Sequence, residues 1–204
     1  MIFDQYATLA LSAAVPAHLE RSPVLSADKR LGLADSALSV LEDFRQHPPV
    51  SLSDRLSVED AMALFRALPL RHLVVEDGQG DFQGILTADS VLGPRRMVQM
   101  RLHQLLPHEL SVRDLMISRN RLLSVPYASL ANARVGDVLH TLEVCGQGFL
   151  CVTEGALPSE GRLRGLFCAR DIGESLGLPW SPPLRAQSFS ELRATLLDQA
   201  DLAV

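Results

Sequence analysis

One pattern of turns and apolar runs occurs twice in this chain, and no other feature constrains the fold as strongly. Val58 and Asp60 match Val135 and Asp137, and Val74 matches Cys151, all at an offset of 77 residues. Gly84 matches Gly165 and Thr87 matches Cys168, at an offset of 81. The reading puts the four extra residues in one place, where the tight Asp77-Gly78 turn becomes the longer Glu154 to Gly161 loop. Loops accept insertions more readily than strands and helices, so an indel confined to a hairpin marks a duplication. With 204 residues the chain can hold two such units, each with its own apolar core.

The grammar of one copy is strand, helix, strand, hairpin, strand, helix. Val50-Ser51-Leu52 reads as a short strand. Ser57 is placed to cap a helix whose first turn carries Glu59 and Asp60, favourable at the positive end of the helix dipole. Ala61, Met62, Leu64, Phe65 and Leu68 supply its apolar face, and Pro69 marks its end. His72 to Val75 is a β-rich run, Asp77-Gly78 with Gly80 a hairpin signal, and Phe82 to Leu86 the returning strand. Thr87 ends that strand and caps a helix beginning Ala88-Asp89-Ser90.

The flanking segments are less regular. Residues 1–34 are broken by Pro16, Pro23 and Gly32 and predict a short helix or two. Asp35 reads as the cap of a further helix carrying Leu38, Leu41 and Phe44, stopped by His47-Pro48-Pro49. Between the copies, Pro94 can start a helix that turns Met97, Met100 and Leu105 inward. Ser111 to Met116 reads as a short capped turn. Pro179 to Pro183 is a linker, and Ser188-Phe189-Ser190-Glu191 is a capping-box pattern ahead of Leu192, Leu196 and Leu197.

Composition narrows the class of function. Net charge is −5, which speaks against a broad basic surface for nucleic acid or anionic lipid. No apolar run approaches the ~18–20 residues of a membrane span, and no signal peptide is read at the N-terminus. Cys145, Cys151 and Cys168 are an odd number without CxxC spacing, which fits a reducing cytoplasm and small core side chains rather than disulfides or zinc. Six histidines show no metal-ligand spacing, and there is no GxSxG elbow or phosphate-loop motif, so no enzyme is predicted.

Three stretches resemble a tandem CBS-domain pair, or Bateman module. They are Ser57 to Met62 through Leu70 to Val75; Gly84-Ile85-Leu86-Thr87 leading into a helix; and Arg113-Asp114-Leu115-Met116, which looks like the start of a second unit ending in Gly165 to Ile172. The resemblance covers roughly residues 46–178, and the chain is similar to small stand-alone bacterial CBS-pair proteins. It implies an α+β fold of two β-α-β-β-α repeats packed about a pseudo-twofold axis, with N- and C-terminal helical extensions. The expected organisation is an N-terminal extension over 1–45, repeat 1 with its linker helix over 46–106, repeat 2 over 107–178, and a C-terminal linker and helix over 179–204. It also implies clefts between the repeats that take an adenine nucleoside or nucleotide, and association as a homodimer.

The family's ligand motif is Gly-h-x-Thr/Ser-x-x-Asp, with h apolar. Where a strand gives way to a helix, free N–H groups face an anion, the hydroxyl adds a phosphate contact, and the carboxylate one turn on accepts ribose hydroxyls. Each copy here keeps half of it. The first has Thr87 but Ser90 at the acid position, with Asp89 one residue early and so rotated ~100° about the helix. The second has Asp171 but Cys168 in place of the hydroxyl. Arg71, His72, Val50 and Met116 complete the candidate ligand-binding residues. Each has a plainer reading: Thr87 as a helix cap, Asp171 as a dipole-complementing acid, His72 as a surface residue, and Arg95, Arg96, Arg101 and His103 as a solvated basic stripe.

Two functions compete. One is a regulatory module that senses AMP, ADP, ATP or S-adenosylmethionine and signals to a separate effector protein, since the chain has no room for an enzyme domain of its own. The other is an assembly module whose degenerate clefts stay empty.

Overall fold

The computed structural model describes residues 7–12, 18–19, 31–68, 70–155 and 161–177. In chain order the elements are β1 (His18–Leu19), β2 (Glu42–Asp43), β3 (Ser51–Ser53), α1 (Val58–Ala67), β4 (His72–Glu76), β5 (Phe82–Thr87), α2 (Ala88–Leu92) and α3 (Arg95–His103). They continue with α4 (Val112–Leu115), β6 (Ile117–Ser118), β7 (Leu123–Pro126), α5 (Val135–Cys145), β8 (Phe149–Glu154), β9 (Arg162–Cys168) and α6 (Ala169–Ser175). This is a mixed α and β fold with two sheets. The described residues divide into two compact units, one built on Val50–Arg119 and the other on the described residues before Val50 together with Asn120–Gly177.

In the unit built on Val50–Arg119, β3 runs parallel to β4, β4 pairs antiparallel with β5, and β5 pairs antiparallel with β6. Helix α1 is the crossover between the parallel strands. It starts where the sequence places it, with Ser57 Oγ accepting the Asp60 N–H at 3.1 Å. It buries Val58, Ala61 and Phe65 at helical spacing against Leu52, Leu73, Val75 and Leu86. The hairpin between β4 and β5 turns on Asp77, whose carboxylate accepts the N–H groups of Gln79 and Asp81, and on Gly80 at φ 82°.

The second unit repeats this plan. β7 runs parallel to β8 with α5 as crossover, and β8 pairs antiparallel with β9. Gly146, at φ 62°, closes α5 in the left-handed conformation. Val138, Leu139 and Leu142 of α5 pack with Val125, Leu150, Val152 and Phe167 into this unit's core. The duplication extends to an irregularity. The β4–β5 register shifts after Val75 pairs with Gly84, and the β8–β9 register shifts after Val152 pairs with Gly165.

Each sheet is completed by a two-residue strand from the other copy of the pattern. Ser36 to Asp43 corresponds to Ser111 to Ser118. Ser36 bridges to Arg134, just before α5, as Ser111 bridges to Ser57, just before α1. A short helical turn follows in both, and then β2 pairs with β9 at Asp43–Gly165 as β6 pairs with β5 at Ser118–Gly84. The approach is tight. A Cβ on Gly165 would lie 2.2 Å from the Glu42 carbonyl oxygen, and one on Gly84 2.2 Å from that of Ile117.

Four expectations change. The helix read from Asp35 to Phe44 is a 3-10 turn over Ala37–Val40 followed by β2. Strand pairing to β9 and full burial of Phe44 override the apolar spacing that suggested a helix. Asp35 instead accepts the Gly32 N–H, and Ser36 caps the turn. In the segment read as an N-terminal helix or two, Ser12 bridges to Ser124 and β1 pairs parallel with β9. Met97 faces solvent, although Met100 and Leu105 do pack on the core. The four-residue insertion in the hairpin is matched by another. Ser51 and Ser124 hold the same register against Val74 and Cys151, yet are 73 residues apart rather than 77. The extra residues form the 3-10 turn Tyr127–Leu130 between β7 and α5. The linker and capping-box segment beyond residue 178 lie outside the described residues.

Replacing either glycine by alanine is expected to destabilise the chain by roughly 1–3 kcal/mol, the usual cost of overpacking. Urea unfolding of Gly84→Ala and Gly165→Ala measures it. A midpoint equal to that of the native chain for either variant would show that the close approach carries no constraint.

Candidate functional site

The site is built where β9 gives way to α6. Leu166 and Cys168 end the strand, and Asp171, Ile172 and Ser175 come from the helix. They line a small open cavity of about 110 Å³ together with Leu31, Ser39, Val40 and Glu42. Two carboxylates and two serine hydroxyls share this lining with apolar side chains, and no arginine, lysine or histidine is among the described lining residues. The volume is well below the ~300–1,000 Å³ of a typical small-molecule site, so it admits a group of sugar-ring size.

Cys168 occupies the position before α6 but makes no side-chain capping bond to it. Its thiol is buried, and burial together with the adjacent Asp171 carboxylate pushes it up to about 12. Cys151 is fully buried and is likewise pushed up to about 12, and burial raises the half-buried Cys145 as well. None of the three has the acidified thiol of a redox sensor. Asp171 is half-buried in the first turn of α6, and its carbonyl accepts the Ser175 hydroxyl at 2.8 Å.

A buried ion cluster holds β2 beside this cavity. Arg164 of β9 donates from Nε to Asp43 Oδ1 at 2.8 Å and from Nη2 to Asp43 Oδ2 at 2.9 Å. Its Nη1 reaches Glu154 at 2.9 Å, and Glu154 also meets Arg45 at 2.6 Å. The guanidinium lies 4.2 Å from the centre of the Tyr127 ring. Burial opposes the charge on Asp43, but the hydrogen bonds from Arg164 and the Arg45 N–H outweigh it and hold the carboxyl below its ordinary range. Removing Arg164 would leave the buried Asp43 carboxylate without its ion-pair partner, at a cost on the order of 3 kcal/mol.

The remaining candidates lie in the other unit, around the β5–α2 junction. Thr87 Oγ1 accepts the Ser90 N–H at 3.2 Å, and buried Ser90 donates its hydroxyl to the Thr87 carbonyl at 2.8 Å. Both side chains therefore act in capping α2. His72 pairs with Thr87 across the β4–β5 ladder. The Arg71 carbonyl accepts the Ala88 N–H, and the Asp89 carbonyl accepts the Gly93 N–H. Val50 is largely exposed, with its carbonyl accepting the Val74 N–H, and Met116 packs partly against the core. Arg113 pairs with buried Asp54, through Nε at 3.0 Å, and so ties the start of α4 to the residue after β3.

Sequence reading missed Leu31, Ser39, Val40 and Glu42. The signal that would have found the last three is the match of Ser36–Asp43 to Ser111–Ser118, which marks a strand rather than a helix.

Two units of parallel-crossover strands, a hairpin and a closing helix define a duplicated α+β module without a catalytic constellation among its described site residues. Residues 41–93 match the CBS domain family, and the match takes in β2 as well as α1 to α2. Residues 41–93 are thus similar to a CBS domain, a family of regulatory modules, and the second copy of the pattern repeats the same plan of strands and helices. It is similar to the structure of an uncharacterized conserved protein from Pyrococcus horikoshii, at 18% identity and a TM-score of 0.50, covering 75% of this chain and 100% of that one. It is also similar to a conserved CBS domain protein of unknown function from Thermoplasma acidophilum, at 20% identity and a TM-score of 0.46, covering 75% and 71% of the two chains. A CBS domain protein from Streptococcus pneumoniae matches at 16% identity and a TM-score of 0.46, covering 68% and 80%. No curated protein matches the chain. Among the described residues, no helix is long and apolar enough to cross a membrane.

Two outcomes follow from these groups. A thiol-alkylating reagent at pH 8 is expected to leave Cys151 and Cys168 unmodified in the native chain and to label both after denaturation, as read by peptide mass spectrometry; native labelling of Cys168 would contradict its burial. Because Asp43 ionises more readily when folded than unfolded, its pairing stabilises the chain above the ordinary carboxylate value of ~3.9 and is lost as pH falls through the folded value. Asp43→Asn is therefore expected to flatten the loss of melting temperature between about pH 5 and pH 2. A melting temperature that falls as steeply in the variant would exclude this role.

Proposed function

We propose that this chain is a regulatory ligand-sensing module that binds an adenine nucleoside at Asp171 and signals to a separate effector protein. The observation that carries this reading is the cavity at the β9–α6 junction, where Asp171 stands at the acid position of the family's ligand motif. Its carboxylate offers acceptors for ribose hydroxyls. Cys168 in place of a hydroxyl, and a lining of acids and serines, suit a sugar better than a phosphate. Adenosine and S-adenosylmethionine rank ahead of AMP, ADP and ATP. In this reading the chain works as a homodimer in the cytoplasm of a bacterium, without catalysis and without contact to nucleic acid or membrane.

One observation favours the second reading, an assembly module whose binding positions stay empty. At the β5–α2 junction the hydroxyls of Thr87 and Ser90 already serve the helix cap, so the fold uses them without a ligand. Arg71, His72, Asp89, Val50 and Met116 would then be structural as well.

A thermal-shift screen with adenosine, S-adenosylmethionine, AMP, ADP and ATP separates the two, because a ligand that binds only the folded chain raises its melting temperature. Asp171→Ala is expected to weaken binding of the compound that responds by about 1–3 kcal/mol, the scale of hydrogen bonds to a charged group. No response to any compound supports the assembly module. An unchanged dissociation constant in the variant removes Asp171 from the site.

A further inference from the structure

One carboxylate at the cavity has no part in the family's ligand motif. Glu42 lines the cavity from β2, whereas Asp171 lines it from α6. Asp43 turns to Arg164, so the alternation of a strand puts the Glu42 side chain on the opposite face. Leu166, its partner across the β2–β9 ladder, lines the cavity as well.

The fold itself does not ask for a carboxylate at this position. Ile117 holds the same place in β6, pairing with Ile85 as Glu42 pairs with Leu166. An apolar side chain therefore suffices to complete a sheet of this plan. What differs between the copies is the helix junction beside the strand. Thr87 and Ser90 use their hydroxyls to cap α2, whereas the β9–α6 junction opens on a cavity. A charge that strand pairing does not require, at the wall of a cavity, is placed to act on what enters it.

Its sign decides the class of ligand. The described lining carries two carboxylates and no arginine, lysine or histidine, so an anion approaches like charge. The positive end of α6 draws anions, but Asp171 in its first turn already answers that dipole. A sugar, uncharged and rich in hydroxyl donors, meets no such penalty.

We propose that Glu42 is the specificity-determining residue of this cavity: its carboxylate repels phosphate, so the cavity takes a nucleoside and rejects the nucleotide that differs from it only by a phosphate. The inference rests on the nucleoside reading of Asp171 and names the residue that makes the choice. Selection of this kind penalises the wrong ligand and needs no further contact to the right one.

The test measures dissociation constants of adenosine and AMP for the full chain by titration calorimetry. The native chain is expected to bind adenosine the more tightly. Glu42→Gln keeps the shape and removes the charge; it is expected to narrow the ratio of the two constants by roughly tenfold, mainly through tighter binding of AMP. Glu42→Ile copies the residue of the other repeat and is expected to narrow the ratio as much, in a chain that a thermal melt shows to be folded. Raising the salt to about 0.5 M is expected to narrow the native ratio more than that of Glu42→Gln, a response that a loss of packing does not give. If both variants keep the native ratio, or if the native chain binds AMP as tightly as adenosine, Glu42 does not select the ligand and the proposal fails while the nucleoside site stands. If the native chain binds neither compound, the nucleoside reading fails and takes this proposal with it.

Discussion

Two glycines that let one backbone lie against another set the constraint on which this architecture depends. Gly165 and Gly84 sit at equivalent positions in β9 and β5, and each has a carbonyl oxygen where a side chain would begin. Because that space is empty, a strand of only two residues can complete the sheet. Such a strand has little pairing energy of its own. It is held by what flanks it: a bridge from Ser36 or Ser111 to the cap of the facing helix, and an ion pair nearby.

The two copies solve this problem with one backbone and different side chains. At one position of the hairpin, Gln83 donates to Asp77 at 2.7 Å, and the equivalent Arg164 donates to Glu154 at 2.9 Å. Arg164 also takes both oxygens of Asp43, where β6 offers Ser118. The result is a buried guanidinium saturated by two carboxylates and stacked near Tyr127. A cluster of this kind specifies geometry more than it adds stability, since ionic groups lose much of their gain to desolvation. Here the geometry specified is the position of β2, and β2 brings Glu42 to the cavity beside Asp171.

Divergence between the copies also separates their helix junctions. Thr87 and Ser90 form a complete cap from neutral hydroxyls, and nothing further is required of them. Cys168 gives α6 no side-chain cap, and the carboxylate of the first turn lines a cavity. A regulatory module needs a ligand that prefers one arrangement over another. In the proposed reading, ligand sensing rests on the β9–α6 junction, while the hydroxyls at the β5–α2 junction serve the helix cap.

The strands, the crossover helices, the hairpin and the helix caps were legible because each rests on local chemistry. Ser57 and Thr87 cap where capping residues belong, Asp77 and Gly80 turn where a turn is needed, and apolar residues recur with the period of the element they form. Repetition at a fixed offset made those signals reliable, as chance does not duplicate a hairpin. The stretch from Asp35 to Phe44 was misread because its local spacing suits a helix, while its conformation is decided by β9, Arg164 and Gly165, all more than a hundred residues away. The cavity stayed hidden for the same reason, since Ser39, Val40 and Glu42 of its lining arrive on that stretch. Sequence alone determined which elements exist and that they occur twice. Only the folded chain decided which sheet each first strand completes, because a two-residue strand takes its place from the surface that receives it and carries no periodicity of its own.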